Sequence, residues 1–438
     1  MMIFFLLLIS NLFCEEFELG NQNFKYLYNK YGSAQPKNIP WAGSFWPYKE
    51  KGIADNFLYD LKRPNPSPSD KFDYFFGEKF ATDWENRTHS CDNVSAEKKK
   101  GCESWWGHCN AWAAAAIKEA EPRSAITKRM RGKDVVLNVA DQKAYLTEMY
   151  MENNSLFSGH TNKSEKTGKW IFDSKSSTGE KLIGEGLSTY DGFWDVSPKS
   201  FFLIFTNYVG IREIGVVIDR FTGNEVWNQP IAGYKMLPIR SEDIRAPETV
   251  GRKRLYPVLV RTNIFWANDN VHANSISHPF DIARASEKFQ LEDFLYNDSY
   301  TGRSLAFFLY FDAPLRVSSD GRFVAHSGNI VGDGVWYHQS LEGRKYYKEF
   351  DHTHPDFIWL PTKTLSASSS GNRNPSFSPE KIDTFFSAVT CTVNQYSLTK
   401  KIRNSYTKIA KNLDEACSLA KSDCEKQKNR LQVCKIEN

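Results

Sequence analysis

The sequence has no second long apolar run. After the short stretch Phe4-Phe-Leu-Leu-Leu-Ile9, nothing in the 438 residues approaches ~18 consecutive apolar residues, so no later segment is expected to span a bilayer. Net charge is also small: 56 Lys and Arg against 52 Asp and Glu leave +4. No Lys/Arg patch is interleaved with aromatics, which excludes any case for nucleic acid. The basic runs Lys98-Lys-Lys100 and Lys128-Arg-Met-Arg131 read as solvated. No EF-hand-like Asp-x-Asp-x-Asp-Gly loop occurs, so no calcium-ligand motif is visible; the cofactor stays unknown, with calcium left open. No internal repeat is found.

What is present begins at the amino terminus. Met1 to Cys14 is almost wholly apolar and is followed at once by Glu15-Glu16. That length suits the apolar core of a signal peptide, although no Lys or Arg precedes it; an uncleaved short anchor is the alternative. The expected location is therefore secreted or cell surface. Five Asn-x-Ser/Thr sequons, at Asn86, Asn93, Asn153, Asn162 and Asn297, suit that route as glycosylation sites.

Cysteine is sparse but informative. Of eight, Cys14 falls at the expected cut, leaving an odd number. Cys91 and Cys102 bracket a short polar loop that a disulfide could close. Cys391, Cys417, Cys424 and Cys434 could form two more bridges in the carboxy-terminal tail. This pairing leaves Cys109 free, with Cys102–Cys109 as the competing arrangement. Cys109 lies in Ser104-Trp-Trp-Gly-His-Cys-Asn-Ala-Trp-Ala-Ala-Ala-Ala-Ile117, where a tight turn at Gly107 runs into an Ala-rich helix. A thiol at a helix N-terminus has its thiolate favoured by the dipole and the free N–H groups. The bland alternative is an inert, packed cysteine.

The segment to about residue 80, rich in Trp, Tyr, Pro and Gly, reads as largely irregular. The cysteine helix is expected over about 109–120, ended by Pro122, and a second helix over 141–151. Beyond about 165 the pattern turns to strands: 201–208 as a continuous buried strand, 215–219 ending at Asp219, 256–262 and 306–311. Asn228-Gln-Pro230 reads as a turn, 366–378 as linker-like, and the residues beyond about 380 as a helical, Lys-rich tail.

Five ordered blocks carry a resemblance. They are Trp105 to Ile117, Val226-Trp-Asn-Gln-Pro-Ile-Ala-Gly-Tyr-Lys235, Trp41 to Asp55, Asp141 to Leu146, and His354-Pro-Asp-Phe-Ile-Trp-Leu-Pro361. Together they resemble the transglutaminase elicitor family of oomycete cell-wall glycoproteins and their bacterial relatives. Val226 to Lys235 is similar to the surface peptide that gives the elicitors their name. The resemblance implies an α+β fold: a papain/transglutaminase-like core, with the nucleophile Cys at a helix N-terminus packed on an antiparallel sheet. A disulfide-rich helical carboxy-terminal tail would follow. The implied organisation is a signal peptide (1–14), a transglutaminase-elicitor-like domain (38–362), a linker (363–379) and a cysteine-containing tail (380–438).

The implied chemistry is that of a protein-glutamine γ-glutamyltransferase. Cys109 would attack the γ-carboxamide of a glutamine donor, release ammonia and hold a thioester; a lysine or polyamine acceptor would then take the acyl group. Trp106 and Trp112 would exclude water, with Trp112 serving equally as core packing. The resemblance makes Asp219 the acid that orients a histidine base, yet Phe202 stands where that histidine is expected. No His lies between His160 and His272, and the candidates to fold back as a substitute base are His160, His272, His278 and His326, all in polar loop-like contexts. His108 reads as a structural hydrogen-bonder, and His352-Thr-His354, lacking a third ligand, as surface residues rather than a metal site. Three functions follow as expectations: the acyltransferase, impaired by the missing base; a non-catalytic secreted or surface recognition protein; and a papain-like hydrolase or deamidase.

Overall fold

The computed structural model describes residues 20–55, 66–93, 102–130, 133–151, 153–159, 196–220, 225–250, 252–318, 328–337, 354–355, 357–364 and 373–378. It also describes 380–382, 385, 389–397, 402–410, 418, 421–422, 425–426 and 432–437. The expected signal peptide, Asn162, His160, His326 and His352 lie outside the described residues, as do the side chains of Asn93, Asn153, Cys391 and Cys434.

The helices are α1 (Phe24–Tyr31), α2 (Pro68–Phe76), α3 (Phe80–Thr88), α4 (Cys109–Lys118), α5 (Val139–Met149) and α6 (Pro198–Ile204), the last running on in π-helical turns over Phe205–Ile211. The main strands are β1 (Asn153–Gly159), β2 (Val217–Asp219), β3 (Asn228–Met236), β4 (Lys253–Ala267), β5 (Tyr300–Phe311), β6 (Ile330–Trp336) and β7 (Phe357–Thr364). They form the path β6-β5-β4-β3-β2-β7-β1 of a ten-stranded sheet. Three short strands attach to it: Ser33–Ala34 on β3, Glu248–Val250 on β4 and Phe294–Asn297 on β5. All these pairings are antiparallel, the longest running from Tyr300↔Ala267 to Phe311↔Tyr256.

Residue alternation divides the core between the two faces of the sheet. Val217, Ala232, Phe265 and Trp359 point to one face, where they pack with Ala111 to Ile117 of α4. Their neighbours Ile218, Ile231, Ile264 and Ile358 point to the other, against Phe201 and Phe202 of α6 and Phe24 and Leu27 of α1. The run of alanines in α4 is wholly buried, and such small side chains let a helix approach a sheet closely.

Several expectations are corrected. Residues 201–208 are helical, not a strand: the side-chain oxygen of Ser197 accepts from Ser200 N at 3.1 Å, and Pro198 occupies the first helical turn. An apolar run buried all round carries no periodicity that separates strand from helix. Asn228-Gln-Pro230 opens a strand rather than a turn, with Pro230 opposite Val217 and Ile231 N bonding Val216 O at 2.8 Å. The amino-terminal segment is less irregular than its composition suggests. Asn23 caps α1, and Ser67 and Asp70 form a capping box at α2.

The tail and the region before it also differ. Its described strands β8 (Val389–Ser397), β9 (Ile402–Ala410) and β10 (Gln432–Glu437) make an antiparallel sheet ordered β9-β8-β10, and the residues described between β9 and β10 (418, 421–422 and 425–426) are helical. The described part of the expected linker is packed. Phe377 is fully buried against Phe72 at 4.3 Å between ring centroids, and Asn374 Nδ2 bonds Ala81 O at 2.9 Å. Lys128 is not solvated: its ammonium is buried 4.8 Å above the Phe385 ring.

Candidate functional site

Cys109 is the first residue of α4 and is buried. The turn before it depends on a close backbone approach: His108 N donates to Phe45 O at 2.6 Å, and a Cβ on Gly107 would collide with that same carbonyl. Cys91 and Cys102 are disulfide-bonded, and Cys109 is a free cysteine.

The sulfur faces the amino-terminal end of β3. Asn228 Nδ2 donates to Cys109 Sγ at 3.3 Å, and Trp359 Nε1 on β7 donates to Asn228 Oδ1 at 2.7 Å. An indole N–H can only donate, so Trp359 fixes the Asn228 amide with its NH2 toward sulfur. The Cys109 thiol in turn lies 3.8 Å from Val226 O. Asp219, fully buried on β2, pairs with Asn228 across the ladder, and its Oδ1 accepts from Trp227 N at 2.9 Å. Asp219 thus holds the strand that carries Asn228. Asp269 accepts from Gln229 Nε2 at 2.6 Å nearby.

This setting does not activate the thiol. Burial pushes the Cys109 pKa up to about 11; the Asn228 hydrogen bonds oppose the rise, while the charges of Asp269 and Asp219 add to it. Desolvation thus acts against the thiolate that a helix N-terminus favours.

The structure does not bring Phe202 to Cys109. Phe202 lies across the sheet, 5.0 Å from Phe24 between ring centroids, so it stands in the opposite core. His272 and His278 are exposed on loops, and His354 is buried beside Trp336 rather than on the surface. Trp112 is core, whereas Trp106 is 37% exposed. The stretch resembling the elicitor surface peptide is mostly interior: residues 228–234 are buried in β3, leaving Glu225 exposed and Val226 and Trp227 half-buried. Asn86 and Asn297 are half-buried, and Asn297 Nδ2 bonds Pro279 O at 3.1 Å.

The family-like blocks converge around α4. Lys143 of α5, fully buried, donates to Ala42 O, Ser275 O and Glu121 Oε1, each at 2.8 Å, and lies 5.0 Å above the Trp41 ring. Trp46 Nε1 reaches Thr147 Oγ1 at 3.2 Å. Asp141 closes a capping box with Asn138 and pairs with Lys71 at 2.7 Å.

Sequence reasoning missed a second cluster behind α4. Glu85, His89, His108 and Glu148 are all buried, and one donor atom from each lies within 4.8 Å of the others. Glu85 and His89, four residues apart on one helical face, were the available sequence signal. Burial drives His108 down to about 3 and Glu148 up to about 7.

The described residues form a mixed helix and antiparallel-sheet scaffold, with a free thiol opening a helix against the sheet. Residues 81–258 match the family model described as transglutaminase elicitor, so the resemblance to that family is shown over this span. Among solved structures the chain is similar to the GP42 transglutaminase from Phytophthora sojae. Identity is 19%, the TM-score is 0.50, and the match covers 83% of this chain and 96% of that one. No curated protein matches. No described helix is long and apolar enough to cross a membrane.

Proposed function

We propose that the chain is a secreted or cell-surface transglutaminase-like acyltransferase with Cys109 as nucleophile, held in a latent resting state. The observation that carries this reading is the free Cys109 at the start of α4, held by the oriented amide of Asn228 at 3.3 Å. The core is papain-like in plan, with the thiol on a helix and Asp219, Asn228 and Trp359 on the facing strands. Cys109 sulfur adds to the γ-carboxamide carbon of a protein glutamine; the C–N bond breaks and ammonia leaves with the thiol proton. A lysine or polyamine nitrogen then displaces sulfur, forming the isopeptide and restoring the thiol. Asn228 N–H supports the sulfur as it becomes anionic.

A second reading, a non-catalytic relative, is favoured by the neutral thiol and by the lack of a histidine contact to it among the described residues. Incubation with a glutamine donor and a fluorescent primary amine separates the two. The acyltransferase predicts amine incorporation that Cys109→Ala abolishes. Absence of both incorporation and ammonia release assigns the chain to the non-catalytic class; ammonia release alone points to a deamidase.

A further inference from the structure

We propose that Glu85, His89, His108 and Glu148 form a buried binding site for one divalent cation of the zinc class, directly behind the nucleophile helix. The inference is independent of whether Cys109 turns over.

The donor set has the right chemistry. Two imidazoles and two carboxylates supply N2O2 ligation, and two carboxylate charges balance a dication while both imidazoles stay neutral. Without a cation, two carboxyl groups share a dry interior with a histidine pair, a costly arrangement for ionised groups.

The geometry points the same way. A tetrahedral ion with bonds of ~2.0–2.2 Å has donor–donor edges of about 3.4 Å. His89 Nδ1 lies 3.0 Å from Glu85 Oε2, and His108 Nε2 lies 3.8 Å from the same oxygen. His108 Nδ1 lies 2.6 Å from Glu148 Oε1, yet no aligned hydrogen bond forms there. Both ring nitrogens of His108 and both oxygens of Glu148 are fully buried without a hydrogen-bond partner. His89 Nδ1 and Glu85 Oε2 are hydrogen-bonded, whereas the unpartnered nitrogens of His108 and oxygens of Glu148 crowd beside them as donors for a shared ion. Binding through Nε2 leaves Nδ1–H facing Glu148 Oε1, and the buried, unpartnered Oε2 of the same carboxylate is the oxygen left for the ion.

The surroundings fit a closed site. Tyr48 stacks on His89 at 4.7 Å and Trp84 meets its edge at 4.8 Å. Gly52, at φ +56°, places its backbone against the cluster; a Cβ there would stand 3.4 Å from both Glu85 Oε2 and His108 Nε2. Asn374 Nδ2 donates to Glu85 Oε1 at 2.8 Å, orienting that carboxylate. With all four donors buried, the site is structural. It ties α3, α5 and the residue preceding Cys109 into one unit.

Metal analysis of the full-length protein tests this. After dialysis against metal-free buffer, about one equivalent of zinc-class metal per chain is expected. Chelation under mild denaturation followed by refolding with Zn2+ alone restores both metal and Tm. Replacement by Co2+ gives the intense visible absorption of a tetrahedral ion with nitrogen and oxygen ligands. Glu148→Gln and His89→Gln each lower metal retention at least tenfold, while Lys128→Met, a buried substitution elsewhere, retains it. If the wild-type protein holds no metal, takes up none from Zn2+ and shows an unchanged Tm with Zn2+ or chelator, the proposal is overturned. Metal that chelator removes without a change in Tm, or that stays bound to folded Glu148→Gln, overturns it equally.

Discussion

Asn228 Nδ2 donates to Cys109 Sγ at 3.3 Å, and Trp359 dictates which end of that amide faces the sulfur. Removing the donor removes the main contact opposing the rise of the thiol pKa. Asn228→Ala is expected to move the midpoint of Cys109 alkylation to higher pH, and Asn228→Asp to move it further, since a carboxylate repels the thiolate. Trp359→Phe acts in the same direction but less, because it frees the amide to flip. Rates of iodoacetamide modification across pH, read by mass spectrometry, check the order.

In the unmodified protein the thiol itself sets the alkaline limit. Its folded pKa, about 11, stands above the unfolded value, so the neutral form is the one the fold favours. Its contribution to stability is complete below the unfolded pKa of ~8.5 and is lost as pH rises toward 11. Cys109→Ser removes this titration in the alkaline window. Denaturant melts of wild type and Cys109→Ser between pH 8 and 11 should converge as pH rises.

Lys128 shows the opposite sign. Burial lowers its pKa to about 8, so the unfolded chain binds more protons between pH 8 and about 10.5, and stability rises with pH over that range. Lys128→Met should stabilise at pH 7 by about 1–3 kcal/mol and lose most of that gain by about pH 10.5. Thermal melts at the two pH values measure it.

Lys143→Met should be strongly destabilising, by about 3–5 kcal/mol, because it removes the buried cation paired with Glu121 and leaves two backbone carbonyls without their donor. Chemical denaturation reads the loss; a change under ~1 kcal/mol would remove Lys143 as the tie between α5 and the Trp41 segment.

Phe202→His should lower Tm by burying an imidazole among Phe24 and its aliphatic neighbours, and should add no amine incorporation. The residue is on the wrong side of the sheet to act as a base. A gain of turnover would show that the two faces communicate.

Much of the fold was legible because its signals are local. Gly107 and the alanine run announce α4, and the helical spacing from Asp141 announces α5, whose start the Asn138 capping box sets at Val139. Phe202 was misplaced because an apolar run buried on all sides has neither the period of a strand nor that of a helix. Ser197-Pro198 was the overlooked signal. Asn228 escaped notice because its role arises only when β3 meets α4 and β7, a long-range encounter that spacing does not encode. The Glu85–His108–Glu148 cluster was hidden for the same reason: its members come from three separate elements.

The account rests most directly on whether Cys109 can carry an acyl group. Full-length protein is incubated with a glutamine-donor peptide without amine, quenched in acid and weighed intact by mass spectrometry. The predicted result is an adduct equal to the peptide less ammonia, located on Cys109, absent from Cys109→Ala and discharged by added amine. Unmodified protein after prolonged incubation, with the Cys109 thiol still titratable on unfolding, would contradict the account.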